Sequence, residues 1–117
     1  MPVVPLWGIF FYMKFIETSF FTKQVTSLFK DDEYAEIQGY MIKNPDIGDI
    51  ISGSGGIREF RWSLNERGKR GGVRILYYWH VSEDVFYMLL MYPKGKQANL
   101  TKEQLKQLRS LVQLEFD

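Results

Sequence analysis

Along this 117-residue chain the apolar positions recur first at helical and later at strand spacing. Residues 14–18 (KFIET) read as a short opening strand. Thr18 or Ser19 then caps a helix running to Lys30, with Phe20, Phe21, Val25, Leu28 and Phe29 as its apolar stripe. Asp31 or Asp32 caps a second helix, roughly 33–43, which Asn44-Pro45 stops. Tyr34, Ile37, Met41 and Ile42 mark its buried face, and the two helices make a hairpin. The acids Asp31, Asp32, Glu33 and Glu36 gather where the positive end of the second helix dipole favours them. Residues 46–56 are rich in Gly and Asp and read as a loop. Its Gly53-Ser-Gly-Gly lacks the Gly-Lys-Ser/Thr end of a phosphate-cradling loop and leads into a strand, so it reads as a turn.

From there the period shortens to two, and β-branched and aromatic residues predominate. Strands are expected at 57–63, 72–80 and 85–92, the last two joined by a tight turn at Ser82-Glu83-Asp84. Their nearly continuous apolar content places them in the middle of a sheet covered on one side by the helices. A last helix, 101–116, opens on a Thr101-x-x-Gln104 capping box and carries Leu105, Leu108, Leu111 or Val112, and Phe116 inward. The fold class that follows is α+β. A small, twisted, mainly antiparallel sheet is packed by an N-terminal helical hairpin and a C-terminal helix. No repeat or linker divides the chain, which suits one domain of residues 13–117.

Residues 1–12 are set apart by composition, being apolar and uncharged. The apolar run is too short for a bilayer, which takes about 20 residues. It also has neither the basic start nor the small-residue cleavage site of a secretory signal. Two readings are open: an arm packed on the domain, or a start codon placed ahead of the true start at Met13. Cysteine is absent, which excludes disulfides, a thiol nucleophile and thiolate metal sites, and suits a cytoplasmic setting.

Net charge is +1, too small for an indiscriminate binder of nucleic acid, but its distribution is uneven. Residues 58–74 hold Arg58, Arg61, Arg67, Lys69, Arg70 and Arg74 against only Glu59 and Glu66. Residues 14–50 are acidic instead. One electropositive working face on a nearly neutral protein suits a polyanion.

Chemistry narrows by elimination. His80 is the sole histidine, too few for a histidine metal site; no serine is expected to have it as a base, and a structural role on its strand suits it better. Glu59 lies amid arginines and reads as an ion-pair partner. The basic residues survive. RNA cut by its own 2′-hydroxyl needs that proton removed, the phosphorane charge neutralised and the 5′-oxygen protonated. Fixed arginines can do the second. A lysine lowered by neighbouring cations, or Tyr92 or Tyr78, could move protons, whereas arginine holds its own too tightly. No metal or cofactor is required. Arg74, between Gly71-Gly72 and a buried strand, sits where an unpartnered cation is costly. Trp62, Tyr77, Tyr78 and Trp79 could stack on bases.

The residues Gly48-Asp-Ile-Ile-x-Gly-x-Gly-Gly-Ile-Arg-Glu-Phe-Arg, then 68–78 (GKRGGVRILYY), then Tyr92-Pro-Lys-Gly-Lys, resemble the RelE/HigB superfamily of bacterial toxins, nearest the HigB-like branch. The resemblance runs from Met13 to about Phe116. It implies a toxin held silent by a cognate antitoxin, acting as a ribosome-dependent mRNA endonuclease. By position it matches Arg61, Arg74, Lys94 and Lys96 to the family's basic site residues. With the chemistry above, catalytic roles are expected for Arg61, Arg74, Lys94 and Tyr92, and RNA contacts for Arg58, Lys69, Arg70 and Lys96. Glu59 departs from the pattern, where a basic residue is common, and no clear tyrosine follows Lys96. The partners implied are an antitoxin, the ribosome and mRNA, with no membrane. Competing readings are a ParE-like gyrase inhibitor, which has no need of the Arg61/Arg74/Lys94 set, and a non-catalytic module that binds antitoxin or RNA.

Overall fold

Thr18 joins the first helix to the sheet. Its hydroxyl accepts a bond from the Phe21 N–H at 3.1 Å, capping helix α1 (Ser19–Leu28), and donates to the Leu89 carbonyl at 2.8 Å. The computed structural model describes residues 13–63, 72–93 and 99–116. Ahead of α1 lies β1 (Lys14–Glu17); behind it come α2 (Asp31–Lys43) and the two-residue strand β2 (Asp49–Ile50). Then follow β3 (Arg58–Ser63), β4 (Gly72–His80), β5 (Val85–Pro93) and helix α3 (Lys102–Phe116). Among the described residues the strands form one sheet in the order β1-β5-β4-β3-β2. β1 runs parallel to β5 and every other neighbour is antiparallel.

The helices end where local chemistry ends them. α1 stops two residues before the predicted Lys30, at Leu28, because Phe29 leaves the helix in extended conformation. α2 starts earlier than the pattern suggests. Glu33 accepts from the Lys30 N–H at 2.8 Å, so Asp31 and Asp32 lie in the first turn rather than at the cap. α3 has the expected reciprocal box: the Thr101 N–H donates to Gln104 Oε1 at 2.9 Å, and the Gln104 N–H to the Thr101 hydroxyl at 3.1 Å.

One expectation about layering is corrected. Both faces of the sheet are covered, not one. Phe21, Val25, Ile37 and Met41 of the helical hairpin pack on Phe60, Val73, Ile75, Tyr77, Phe86 and Met88. On the opposite face Leu108 and Val112 of α3 pack on Ile57, Leu76, Tyr87 and Leu89. Strands β4 and β5 are apolar at both parities because each parity has its own helix layer. Two smaller departures follow. Phe20, read as part of the apolar stripe of α1, is 59% exposed. The turn between β4 and β5 is a 3₁₀ turn over Val81–Glu83, closed by Asp84 at φ 53°.

The 46–56 stretch is also more than a loop, since β2 pairs with β3. Gly48 lets it approach: its φ is +91°, and a Cβ there would lie 2.2 Å from the Glu59 carbonyl oxygen. The buried Ser54 knots the following turn, its hydroxyl donating to the Ile51 carbonyl at 2.6 Å and accepting from the Ile57 N–H at 2.9 Å. The buried Tyr77 ties the preceding segment down, its hydroxyl lying 2.8 Å from both the Pro45 and the Ile47 carbonyls.

Candidate active site

Residues directly opposite in an antiparallel pair point to the same face. Arg61 faces Arg74 across β3 and β4, and Arg74 faces Tyr92 across β4 and β5. Three of the four residues expected to be catalytic therefore form one row across the sheet, on the α3 side. Glu59 belongs to the next row of the same face, opposite Leu76 and Asp49. The fourth, Lys94, lies outside the described residues, as do the RNA-contact candidates Lys69, Arg70 and Lys96. The described chain ends beside this row, at Ser63, Gly72 and Pro93.

Around the row the side chains are tied to one another. Arg74, with its side chain only 12% exposed, pairs with Glu59 at 3.7 Å (Nη1 to Oε2) and donates from Nη1 to Asn99 Oδ1 at 3.4 Å. The Tyr92 hydroxyl donates to the same Glu59 Oε2 at 3.4 Å. Glu59 is thus the ion-pair partner that its arginine neighbours suggested. Burial pushes the Tyr92 hydroxyl pKa above its ordinary value, the bond to Arg74 works against that, and the Glu59 charge adds to it. Arg61 is exposed. Glu59, Arg61, Arg74, Asp49, Gly48 and Asn99 line one open depression of about 550 Å³. Its walls combine two guanidiniums with acceptors and donors, enough to hold a phosphodiester and handle a proton. No cluster of three His, Cys, Asp or Glu side chains suited to a metal ion occurs among the described residues.

Arg58 stands apart. It faces Tyr77 on the helical-hairpin side, and its guanidinium donates to the Asp46 and Gly48 carbonyls at 2.9 and 3.1 Å. Its contacts in the fold hold the loop leading into β2. The aromatic candidates are also spoken for. Tyr77 is fully buried, Trp62 packs edge-on against Tyr40, Trp79 lies over Phe86, and Tyr78 packs on Phe116. His80 stacks on Phe116 with centroids 4.3 Å apart, and its Nε2 lies 3.2 Å from the Ser82 hydroxyl, an exposed serine–histidine contact the sequence reading did not expect. Sequence reasoning missed Asn99 and Asp49. Asn99 precedes the α3 cap with no pattern of its own, and Asp49 sits in a strand too short to alternate.

No family model matches the chain. Its fold is similar to that of a solved structure of the E. coli toxin RelE, an arginine-substituted mutant in the free state. The TM-score is 0.55 at 10% sequence identity, over 74% of this chain and 88% of that one. At that identity the match speaks for architecture, and the chain has a RelE-like α+β fold.

Proposed function

We propose that this protein is the toxin of a toxin–antitoxin pair and cuts mRNA on the ribosome by attack of the RNA's own 2′-hydroxyl, without metal or cofactor. The observation that carries the reading is the in-register row Arg61–Arg74–Tyr92: Arg61, Arg74 and Glu59 line one depression, and the buried Tyr92 reaches it through its hydroxyl's bond to Glu59. Arg61 and Arg74 grip the scissile phosphate from two strands, and their charge offsets the negative charge that grows on the phosphorane. The 2′-oxygen forms its bond to phosphorus as its proton passes to the Glu59 carboxylate. The bond to the 5′-oxygen breaks, and that oxygen takes a proton from the Tyr92 hydroxyl, a phenol that is protonated at neutral pH. The products are a 2′,3′-cyclic phosphate and a free 5′-hydroxyl. Lys94 adds charge at the phosphate, and Lys69, Arg70 and Lys96 contact RNA. Arg58 contributes to RNA binding only through its exposed edge, given its bonds to the 46–48 segment.

The antitoxin expected for such a site carries an acidic, partly disordered segment that folds over the cationic face. No helix among the described residues is long and apolar enough to cross a membrane. In this reading the protein works in the cytoplasm, from a domain beginning at Met13. The test is inducible expression followed by primer-extension mapping of mRNA ends. New 5′ ends within translated codons, lost in Arg74→Ala, support the reading. Growth arrest with intact mRNA and blocked DNA supercoiling would replace it with gyrase inhibition.

A further inference from the structure

Strict alternation along β5 would send Tyr92 to the wrong face. Tyr87 pairs with Tyr78 on the α3 side, so the residues sharing its face by simple alternation are Leu89, Met91 and Pro93. Tyr92 would then join Phe86 and Met88 beneath the helical hairpin. The register departs from this at one point. Met88 pairs with Tyr77 but Leu90 pairs with Leu76, leaving Leu89 without an opposite residue on β4. This is a β-bulge, one extra residue that re-aims everything after it. Beyond it Met91 packs into the helical-hairpin core, and Tyr92 turns to Arg74 and Glu59.

The bulge is pinned from outside the sheet. β1 ends at Glu17, opposite Met88, so past that point the outer edge of β5 has no described strand beside it. The start of α1 and its flank replace the missing strand. The Thr18 N–H donates to the Met88 carbonyl at 3.0 Å, and its hydroxyl to the Leu89 carbonyl at 2.8 Å. Gln24 Oε1 accepts from the Met91 N–H at 2.9 Å across 67 residues of sequence. A helix needs no glutamine at that position, and Met91 would otherwise leave a part-buried N–H unsatisfied.

We propose that Thr18 and Gln24 are positioning residues of the active site: by locking the bulge at Leu89 they deliver the Tyr92 hydroxyl to Arg74 and Glu59. The effect on cleavage rate rests on the nuclease reading; the effect on Tyr92 itself does not.

The test places 3-fluorotyrosine at position 92 of the full chain and follows it by ¹⁹F NMR, with and without Glu59→Gln. In the parent chain Glu59→Gln shifts the Tyr92 signal and lowers its pKa. In Gln24→Leu that response falls by more than half. Ribosome-programmed cleavage there loses kcat on the order of 10²-fold, the low end for a placed proton-transfer group, with KM nearly unchanged. Gln24→Glu keeps an acceptor for the Met91 N–H and restores both readouts. Should Gln24→Leu not fold, Gln24→Ser, too short to reach Met91, is read in the same way. A folded Gln24→Leu or Gln24→Ser chain with the full Tyr92 response overturns the proposal. A lost Tyr92 response in a protein that cleaves nothing even as wild type supports positioning and overturns the nuclease reading instead.

Discussion

Arg61 and Arg74 stand directly opposite each other across β3 and β4, on one face of the sheet. Like charges in that arrangement cost stability, on the order of 0.2–1 kcal/mol. Glu59 offsets part of this by pairing with Arg74 at 3.7 Å, while Arg61 is exposed and faces the same depression. A stability argument alone gives no reason for two guanidiniums in register. An anion held between them does, because it turns the repulsion into a shared attraction.

Arg61→Gln should therefore leave the fold intact or raise its stability slightly, by up to about 0.5 kcal/mol from relief of like-charge repulsion. Cleavage should fall about 10²-fold with the lost phosphate donor. Thermal melts and cleavage assays on one purified sample check both. A marked drop in melting temperature would make Arg61 structural.

Arg74→Ala should abolish cleavage and toxicity, at roughly 10²–10³ in rate, while the protein still folds. Arg74→Lys should recover only part, since an ammonium lacks the bidentate fork. The Glu59 pair supplies the competing account, in which Arg74 is structural. A variant that melts many degrees lower yet cleaves normally when folded decides for that account.

How much of this was legible beforehand depended on how local the cause was. The Thr101/Gln104 box and the spans of β3 and β4 were readable because their determinants lie within a few residues. Arg61 and Arg74 were singled out as candidates by charge and by resemblance. That they oppose each other is a matter of pairing register. The face of Tyr92 was not legible, because it hangs on a bulge pinned by Gln24 from 67 residues away. The second helix layer was hinted at by apolar residues at both parities of β4 and β5, yet a one-sided sheet was the simpler reading. β2 spans two residues, shorter than any period that could announce it.

Gly48→Ala should destabilise the protein by about 1–3 kcal/mol, the range for a side chain forced into a left-handed backbone. Its Cβ would meet the Glu59 carbonyl oxygen, so β2 must lift from β3 and carry Asp49 away from the depression. Denaturant melts read the first effect. The second appears as altered amide shifts at Asp49 and Glu59. A variant as stable as the parent would show that the 46–50 segment yields easily.

Stability should fall at alkaline pH. Burial raises the pKa of Tyr34, Tyr77, Tyr87 and Tyr92 above the ordinary 10.0. A group raised on folding contributes stability in full below its unfolded pKa and loses it as pH climbs toward the folded one. Unfolding free energy should thus be insensitive to these tyrosines at neutral pH. Above pH 10 it should drop, by up to about 1.4 kcal/mol per pH unit for each raised tyrosine. Tyr34, whose hydroxyl donates to Glu17 at 2.7 Å, is the one to remove first. Tyr34→Phe should shallow the alkaline slope while lowering stability at neutral pH. Urea titrations from pH 8 to about 11 measure it, and an unchanged slope would exclude Tyr34 as a contributor.

Glu59→Gln separates binding from chemistry, because the carboxylate acts on them in opposite directions. In the free protein it partly neutralises Arg74 at 3.7 Å, so it competes with any phosphate for that guanidinium. Replacing it with a neutral amide should strengthen RNA binding, and KM should fall. If Glu59 also takes the 2′-hydroxyl proton, kcat should fall by about 10²–10⁴, the usual worth of a placed general base. The two effects together mark a carboxylate that serves chemistry at some expense to affinity. A purely structural partner predicts another pattern: kcat holds, KM falls, and the melting temperature drops because Arg74 and Tyr92 have both lost their charged acceptor. Single-turnover cleavage at saturating ribosomes, with melts of the same variant, tells these apart. An unchanged kcat would leave Tyr92 and the lysines after β5 to account for proton transfer.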